Sequence, residues 1–278
     1  MNKKRNRKPK LLLVFYGIGR NTSSVIYNMN LIKENLNNFF EIKTAYALNK
    51  VKFINNPRTN ELSSVNQKGI RKSLSKMNIK FVMDQKIYER KFNIFLKKNI
   101  SNKFVDPYND NFRTLCNLFC QLSLLDDFFR EKCAKKNYLI FTIRDDIIIN
   151  NFYGLFSISK ILFKYPNYAY TTSYHWHKGV NDRILIFSPY ARRIFFFRLK
   201  KFKDSLKKGN FYNSEKINMQ ALDSLGIKII SSPMQIIRVR SNGKIRKEYF
   251  FLRIYRFRET LRVLKSIIRY LKILILNR

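Results

Sequence analysis

The sequence predicts an α/β protein in which a mixed sheet is flanked by helices. Short apolar runs rich in β-favouring residues occur at residues 11–16 and 138–143. They lack the polar alternation of half-exposed strands, which is typical of strands buried on both faces. Amphipathic helical segments separate such runs, and strands joined through helices form a largely parallel, Rossmann-like sheet.

The first strand-helix-strand unit contains a glycine turn. Strand 11–16 is followed by Gly17, Gly19 and Arg20, then by capping residues and a helix, and residues 39–48 form the second strand. The N–H groups in the first turn of such a helix can hold a phosphate, so Gly17 and Arg20 are candidate nucleotide- or phosphate-binding residues. The G-x-G-R pattern by itself is a weak signal, because most such turns only redirect the chain.

In the middle of the chain, one segment lacks a recognisable secondary-structure pattern and the next has a clear helical one. Residues 49–101 are polar and basic with little periodicity. They predict loops and one or two short helices, and no function can be assigned to them. Residues 112–132 have the spacing of a core-facing helix that leads into strand 138–143.

A cluster of charge follows that strand directly, at Arg144, Asp145 and Asp146. Ligands bind at the carboxyl ends of the strands in open α/β sheets. Paired carboxylates there suit a hard divalent cation that also contacts substrate phosphates, which makes Asp145 and Asp146 candidate metal ligands. The alternative is a surface turn in which Arg144 pairs with one of the aspartates, and these three residues leave both readings open.

The second half of the chain has its densest polar cluster in the loop after residues 165–173, where His175, Trp176, Asn181 and Asp182 lie close together. An aromatic face beside hydrogen-bonding groups suits a sugar ring or a base, so the loop predicts a pocket wall. A surface loop is the alternative. Helices are expected at residues 153–163, 189–202 and 216–225, with Ser214 as an N-cap and Gly226 as a C-terminal cap, and strands at 184–187, 227–231 and 236–239.

The chain is strongly basic, with 56 Lys and Arg against 18 Asp and Glu and a formal net charge of +38. This excess points to nucleic acid, anionic lipid or phosphorylated substrates as partners. It is diffuse, and no zinc-finger, homeodomain or RNA-recognition signature accompanies it. A non-catalytic nucleic-acid-binding protein, with Tyr and Phe stacking on bases, is the alternative function, although nucleic acid is the less favoured partner.

Cysteine usage and the length of the apolar runs indicate the compartment. Three cysteines do not form a disulfide framework and suit a reducing environment. One hypothesis is a zinc site formed by Cys116 and Cys120 with His175 and His177. The two cysteines lie on an apolar helix face, however, and free cysteines in such a position are usually buried core residues. No uncharged apolar run reaches the roughly 18 residues of a membrane span, so we expect a cytoplasmic protein, at most peripheral at the cytoplasmic membrane face.

The chain ends in a basic amphipathic segment. An apolar line beside a basic stripe is typical of a helix lying in the plane of an anionic membrane surface, and equally of a terminal helix docked on its own domain. The apolar line is Phe257, Leu261, Leu264, Ile268, Leu271 and Ile275, widened by Val263, Ile267, Tyr270 and Leu274, and the basic stripe is Arg258, Arg262, Lys265, Arg269 and Lys272.

Several short motifs follow one another in a fixed order between about Leu11 and Glu248. They are LVFYGIGR (13–20), QLSL (121–124), IRDD (143–146), HW (175–176), GVNDR (179–183), NSE (213–215) and RVRSNG (238–243). In these residues the chain resembles a group of glycosyltransferase-like proteins from bacteria, algae and large viruses, of the kind associated with cell-surface polysaccharide. The family usually has Arg-x-Asp, which Asp146 matches better than Asp145, and often two glycines where this chain has Lys178-Gly179.

The resemblance implies a GT-A-type fold and a transferase that moves a hexosyl or related group from a nucleotide-diphosphate donor to a glycan or lipid-linked acceptor. Residues 1–10 would be a basic tail, 11–248 the catalytic domain and 249–278 the terminal helix. The resemblance implies that Asp145 and Asp146 hold a divalent metal, Mn²⁺ or Mg²⁺, and that Gly17, Arg20 and Arg144 bind the nucleotide or its phosphates. His175, Trp176 and Asn181 would form an acceptor or sugar pocket. Glu215 would be the catalytic base, with Asp182 as the alternative.

Overall fold

The computed structural model describes residues 8–56, 61–100, 105–133, 137–150, 155–173, 179–209, 213–232, 234–241, 245–248 and 257–275. Its strands are β1 (Lys10–Gly17), β2 (Glu41–Lys50), β3 (Phe53–Asn56), β4 (Glu61–Ser64), β5 (Ile79–Asp84), β6 (Leu139–Arg144), β7 (Ile147–Ile149), β8 (Tyr168–Thr172), β9 (Ile184–Phe187), β10 (Lys228–Ser232), β11 (Ile236–Val239) and β12 (Ile245–Glu248). Its helices are α1 (Thr22–Leu36), α2 (Gln67–Ser75), α3 (Gln85–Asn99), α4 (Arg113–Cys133), α5 (Leu155–Lys164), α6 (Ile194–Lys207), α7 (Ser214–Ser224) and α8 (Phe257–Ile275), with a 3-10 turn at Pro189–Arg193.

The main sheet has seven strands in the order β10-β8-β9-β6-β1-β2-β5. Strand β9 runs antiparallel to β6 and β8, whereas the other neighbouring pairs are parallel. The predicted fold class, a mixed α/β sheet flanked by helices, is therefore confirmed. Because β9 is reversed, its first residues lie at the same edge of the sheet as the carboxyl ends of β1, β2 and β6, and the polar residues after each strand meet there.

Strand β1 shows why the apolar runs do not alternate with polar residues. Leu11, Leu13 and Phe15 face a cluster that includes α1, whereas Leu12 and Val14 face a second cluster that includes α4. All five side chains are at most 1% exposed. Burial of such a side chain stabilises the fold by about 1.5–3 kcal/mol, so both faces of the strand must be apolar.

Residues 49–101 differ most from the prediction of loops and one or two short helices. They form the β3–β4 hairpin, α2, the sheet strand β5 and the 15-residue helix α3. Strand β5 pairs with β2 at the edge of the sheet and keeps only Phe81 buried. An edge strand that is open to solvent needs no continuous apolar run, which is why the sequence did not reveal it.

A smaller difference concerns the start of α7. The N-cap of α7 is Asn213, whose side chain accepts a hydrogen bond from the Lys216 N–H, rather than Ser214. Gly226 follows the helix with a φ of +65°, as predicted for a C-terminal cap. No helix in the described ranges is long and apolar enough to cross a membrane.

Candidate active site

The centre of the site is the turn between β6 and β7, which is hydrogen-bonded to side chains of α1. The Asp145 N–H donates to the Tyr16 carbonyl at 2.9 Å, and the Ser24 hydroxyl donates to the Asp145 carbonyl at 2.6 Å. Asn28 bonds twice to β7, donating to the Ile147 carbonyl and accepting from the Ile149 N–H. The backbone of the turn is therefore fixed, and its two aspartate side chains have defined directions.

Asp145 lies directly over Gly17. A Cβ at Gly17, whose φ is +152°, would stand 2.3 Å from the carboxylate carbon and both carboxylate oxygens of Asp145. No side chain fits at that distance, so the glycine of the first turn is needed for the approach of this carboxylate. The sequence linked Gly17 to a phosphate, whereas the structure places an aspartate against it.

The two oxygens of Asp145 have different surroundings. Oδ2 accepts hydrogen bonds from the Gly19 N–H at 2.6 Å and the Tyr46 hydroxyl at 3.1 Å, and Oδ1 accepts none from the described residues. Burial and the neighbouring charge of Asp146 raise the pKa of Asp145 to about 6, against the opposing effects of Gly19 and Arg20. Asp145 also lines a cavity, and Oδ1 is the oxygen of this carboxylate that is left without a hydrogen bond from the described residues.

Asp146 is held by arginines. Its two oxygens accept from Arg144 Nε at 2.5 Å and Nη2 at 3.0 Å, and Arg20 Nη1 lies 3.8 Å from Oδ2. Burial favours the neutral acid, but the attraction of Arg144 and Arg20 outweighs it and holds the pKa of Asp146 well below its usual range. The side chain is fully buried. Asp146 therefore orients Arg144, because a bidentate pair fixes the plane of the guanidinium, and it attracts Arg20 by charge alone.

A second carboxylate, Glu61 of β4, holds Arg20 from the other side. Arg20 Nε lies 3.2 Å from Oε1 of Glu61, which also accepts from the N–H and the hydroxyl of Ser241. Arg240 reaches Oε2 at 3.4 Å. Glu61 is 1% exposed. Sequence reasoning missed it, because its partners come from distant parts of the chain.

Asp182 lies near Arg144 and Arg198, just before β9 begins. The Arg144 N–H donates to the Arg183 carbonyl at 2.9 Å, and the Tyr16 hydroxyl donates to the Asp182 carbonyl at 2.6 Å. Arg198 of α6, 1% exposed, places Nη2 at 3.7 Å from Oδ2 of Asp182. Burial alone would raise the pKa of Asp182, but Arg144 and Arg198 outweigh it and lower the pKa.

Glu215 follows in the first turn of α7, next to Asp182. The Ser214 hydroxyl donates to Glu215 Oε2 at 3.2 Å and also bonds Asp182. Burial, and then the charge of Asp182, raise the pKa of Glu215 to about 7. The two carboxylates are thus driven apart in pKa, with Asp182 kept ionised and Glu215 able to exchange a proton near neutral pH. Such pairs are typical of acid–base sites.

The loop before β9 packs closely on α7, but only part of the predicted pocket wall can be assessed. A Cβ at Gly179 would stand 2.1 Å from the Glu215 carbonyl, and the Val180 N–H donates to that carbonyl at 2.9 Å. The Asn181 side chain accepts from the Arg183 N–H at 2.8 Å, so it shapes the turn. His175 and Trp176 lie outside the described residues, and their predicted role stays a prediction.

A cavity of about 400 Å³ opens at the carboxyl ends of β1, β2 and β6. Asn49 and Gln121 are among its lining residues, and the carboxamide oxygen of Asn49 and the amide nitrogen of Gln121 are buried without a hydrogen-bond partner in the described part of the chain. Asn49 follows the predicted second strand directly, so the rule that singled out Arg144 would also have found it. The remaining lining includes the polar-site residues Gly17, Arg20, Arg144 and Asp145 and the apolar residues Val51, Phe53, Ile54, Phe92 and Phe112. Neither Asp182 nor Glu215 is part of the lining.

The structure is similar to those of solved glycosyltransferases. No family model and no curated protein matches the sequence. Similar structures include the galactosyltransferase LgtC with donor and acceptor sugar analogs, at 9% identity and a TM-score of 0.43 over 80% of this chain and 73% of that one. The mannosyltransferase Ktr4p from S. cerevisiae is 8% identical, with a TM-score of 0.42 over 82% of this chain and 70% of that one. Core-mannan synthase A from Aspergillus fumigatus, in an Mn/GDP form, is 9% identical, with a TM-score of 0.41 over 94% of this chain and 84% of that one. At such identities and TM-scores, the activity of this chain has to be judged from its own residues.

The two predicted metal ligands fit a divalent ion to different degrees. Asp145 lines the cavity and its Oδ1 accepts no hydrogen bond from the described residues, whereas both oxygens of Asp146 are engaged by Arg144. No three His, Cys, Asp or Glu side chains converge within the described ranges. Magnesium-type sites often use one or two carboxylates completed by substrate phosphates, and Asp145 alone fits that pattern. The contacts of Asp146 disfavour it as a ligand, although the motif had made it the better match.

Proposed function

We propose that this protein is a glycosyltransferase that moves a hexosyl or related group from a nucleotide-diphosphate donor to a glycan or lipid-linked acceptor, as in polysaccharide assembly. The observation that carries the proposal is the cavity at the sheet edge, whose lining includes Arg20, Arg144 and Asp145. Its volume is within the range of small-molecule sites. The proposal places the enzyme in the cytoplasm, where nucleotide sugars would be its donors.

The lining of the cavity supports a nucleotide more than a free sugar. Phe53, Phe92 and Phe112 provide apolar and aromatic surface, which suits the faces of a base. The unpaired oxygen of Asn49 and nitrogen of Gln121 match the adjacent donor and acceptor on the edge of a base. The diphosphate then lies at Arg20 and Arg144, whose guanidinium groups are preorganised by Asp146 and Glu61 for bidentate contacts with phosphate oxygens.

In the proposed reaction the bond between the anomeric carbon and the diphosphate oxygen breaks while an acceptor hydroxyl bonds to that carbon. The nucleoside diphosphate leaves with the electron pair, and Arg20 and Arg144 stabilise its developing charge. Glu215 takes the proton of the hydroxyl, which its pKa of about 7 permits at neutral pH. Asp182 stays ionised beside Arg144 and Arg198, and it keeps the pKa of Glu215 raised. Because Glu215 does not line the cavity, the proposal requires the donor sugar to lie between the cavity and Glu215.

A divalent ion, Mn²⁺ or Mg²⁺, would be held by Asp145 and would neutralise charge on the diphosphate. This assignment separates the two aspartates experimentally. We expect Asp145→Asn to raise the Mn²⁺ concentration for half-maximal activity by about 10-fold or more, because it removes a charged ligand oxygen. Asp146→Asn should leave that concentration unchanged and instead raise the KM for the donor, because the arginines lose their anchor. Equal Mn²⁺ requirements in both variants would contradict the assignment.

The proposed function is tested by incubating the protein with a panel of nucleotide sugars and Mn²⁺ and measuring the release of nucleoside diphosphate, with and without glycan acceptors. Turnover of one donor above the others is the expected result. The strongly basic composition supports a competing proposal, a nucleic-acid binder. That alternative predicts no turnover and an affinity for DNA or RNA that falls linearly with the logarithm of salt concentration.

A further inference from the structure

Helix α8 has two apolar faces, and only one of them is docked on the described part of the chain. It packs along β10 through Val263, Ser266, Tyr270 and Ile273, which are at most 8% exposed. The Ser266 hydroxyl lies at hydrogen-bonding distance from that of Ser231, which joins the helix to the strand. The helix is thus part of the folded protein, and its docked face includes Val263 and Tyr270, which the sequence pattern placed on a flank of the apolar line.

The predicted apolar line itself is exposed. Five of its six side chains can be assessed, and they are 38–72% exposed: Leu261, Leu264, Ile268, Leu271 and Ile275. Phe257, the sixth, has a side chain outside the described residues. A contiguous stripe of this length on one helix is uncommon for a protein surface that meets only water, and it indicates an interaction site.

The stripe is bordered by positive charge on its solvent side. Lys265, Arg269 and Lys272 are all exposed and lie next to it on the helical wheel. No Asp or Glu occurs between residues 261 and 275. The surface therefore offers an apolar strip and a basic strip in parallel, and its partner must be apolar and anionic at once.

We propose that α8 binds the surface of an anionic lipid bilayer, with the apolar stripe in the headgroup and acyl boundary and the basic strip against lipid phosphates. A bilayer supplies both chemistries at the required spacing. A second copy of the chain would bring two basic strips together, which like-charge repulsion opposes. Nucleic acid would contact the basic strip but leave the apolar stripe in water. The inference is independent of the proposed enzymatic activity.

The test is co-sedimentation of the whole protein with vesicles of phosphatidylcholine alone and of phosphatidylcholine mixed with phosphatidylglycerol. Binding to the mixed vesicles only is expected. The double change Leu264→Glu/Ile268→Glu should weaken that binding by on the order of 10²-fold, since it removes apolar burial and adds like charge. Lys265→Gln/Lys272→Gln should weaken it by on the order of 10-fold, at about 1 kcal/mol for each charge near the surface.

Two matched controls lie on α3, away from the stripe. Ile94 is 56% exposed, so Ile94→Glu introduces the same chemistry elsewhere, and Lys97→Gln/Lys98→Gln removes the same charge elsewhere. Both should bind mixed vesicles as the unaltered protein does. The proposal is overturned if the α8 variants bind as tightly as the α3 variants. It is overturned equally if the stripe instead mediates a dimer, seen as a mass in solution that Leu264→Glu/Ile268→Glu halves.

Discussion

Replacing Arg144 with methionine is expected to lower kcat for sugar transfer by about 10²- to 10³-fold, the range found when one preorganised donor to a developing negative charge is removed. The side chain is bonded to Asp146 at two positions and lines the donor cavity. Its guanidinium is therefore already oriented when the diphosphate leaves. Methionine keeps most of the apolar stem and removes the charge, and steady-state rates with the preferred donor measure the effect.

Arg144 is also structural, so the variants must separate the two roles. Arg144→Lys keeps the charge but loses the bidentate geometry, and we expect it to recover stability while kcat stays at least about 10-fold low. Arg71, exposed on α2, gives a matched control in Arg71→Met. If Arg144→Met folds with an unchanged melting temperature and keeps full kcat, Arg144 plays no part in transfer.

The second large effect is expected at Glu215. Glu215→Gln should lower kcat by about 10²-fold or more at pH 8, because a general base typically contributes 10²- to 10⁴-fold. With the pKa of Glu215 raised to about 7, the base is protonated below that pH. The kcat of the unaltered enzyme should therefore rise with pH through 7 and level off above about 8, whereas the residual kcat of Glu215→Gln should lack that limb.

The same variant carries a stability signature. A carboxyl group whose pKa is higher in the folded than in the unfolded protein destabilises the fold as pH rises through the folded pKa. The E215Q variant cannot ionise, so it should be more stable than the unaltered protein by about 1–3 kcal/mol at pH 8 and similar to it at pH 4. Glu34→Gln, on the exposed face of α1, is the matched control. Full activity together with an unchanged pH profile would remove Glu215 from catalysis.

The sequence predicted the fold well where burial dictates residue type. Strands such as β1 and β6 are covered on both faces, so they appear as apolar runs, and the polar residues after them mark the site. Edge strand β5 and the β3–β4 hairpin are only partly covered, so they carry no such pattern. Their region was thus assigned no function, although it supplies Asn49, Phe53 and Phe92 to the cavity.

The sequence predicted which charged residues lie at the site, but it did not predict which of them pair with one another. Asp145, Asp146 and Arg144 were found from their position after a strand. The roles of the aspartates could not be separated, because they depend on contacts with Gly19 and Arg20 in another segment. Glu61 and Arg198 were missed for the same reason. Each is a buried charge whose purpose appears only when its distant partner is known.

The central claim is that the cavity at the sheet edge binds a nucleoside diphosphate through Arg20 and Arg144. Calorimetric titration of the uridine, guanosine, cytidine and adenosine diphosphates tests it most directly. One of them should bind with one-to-one stoichiometry, and Arg20→Met and Arg144→Met should each weaken that binding by about 10-fold or more, the value of one lost charge-assisted contact. Binding of none of the four, or binding that both variants leave unchanged, would contradict the claim.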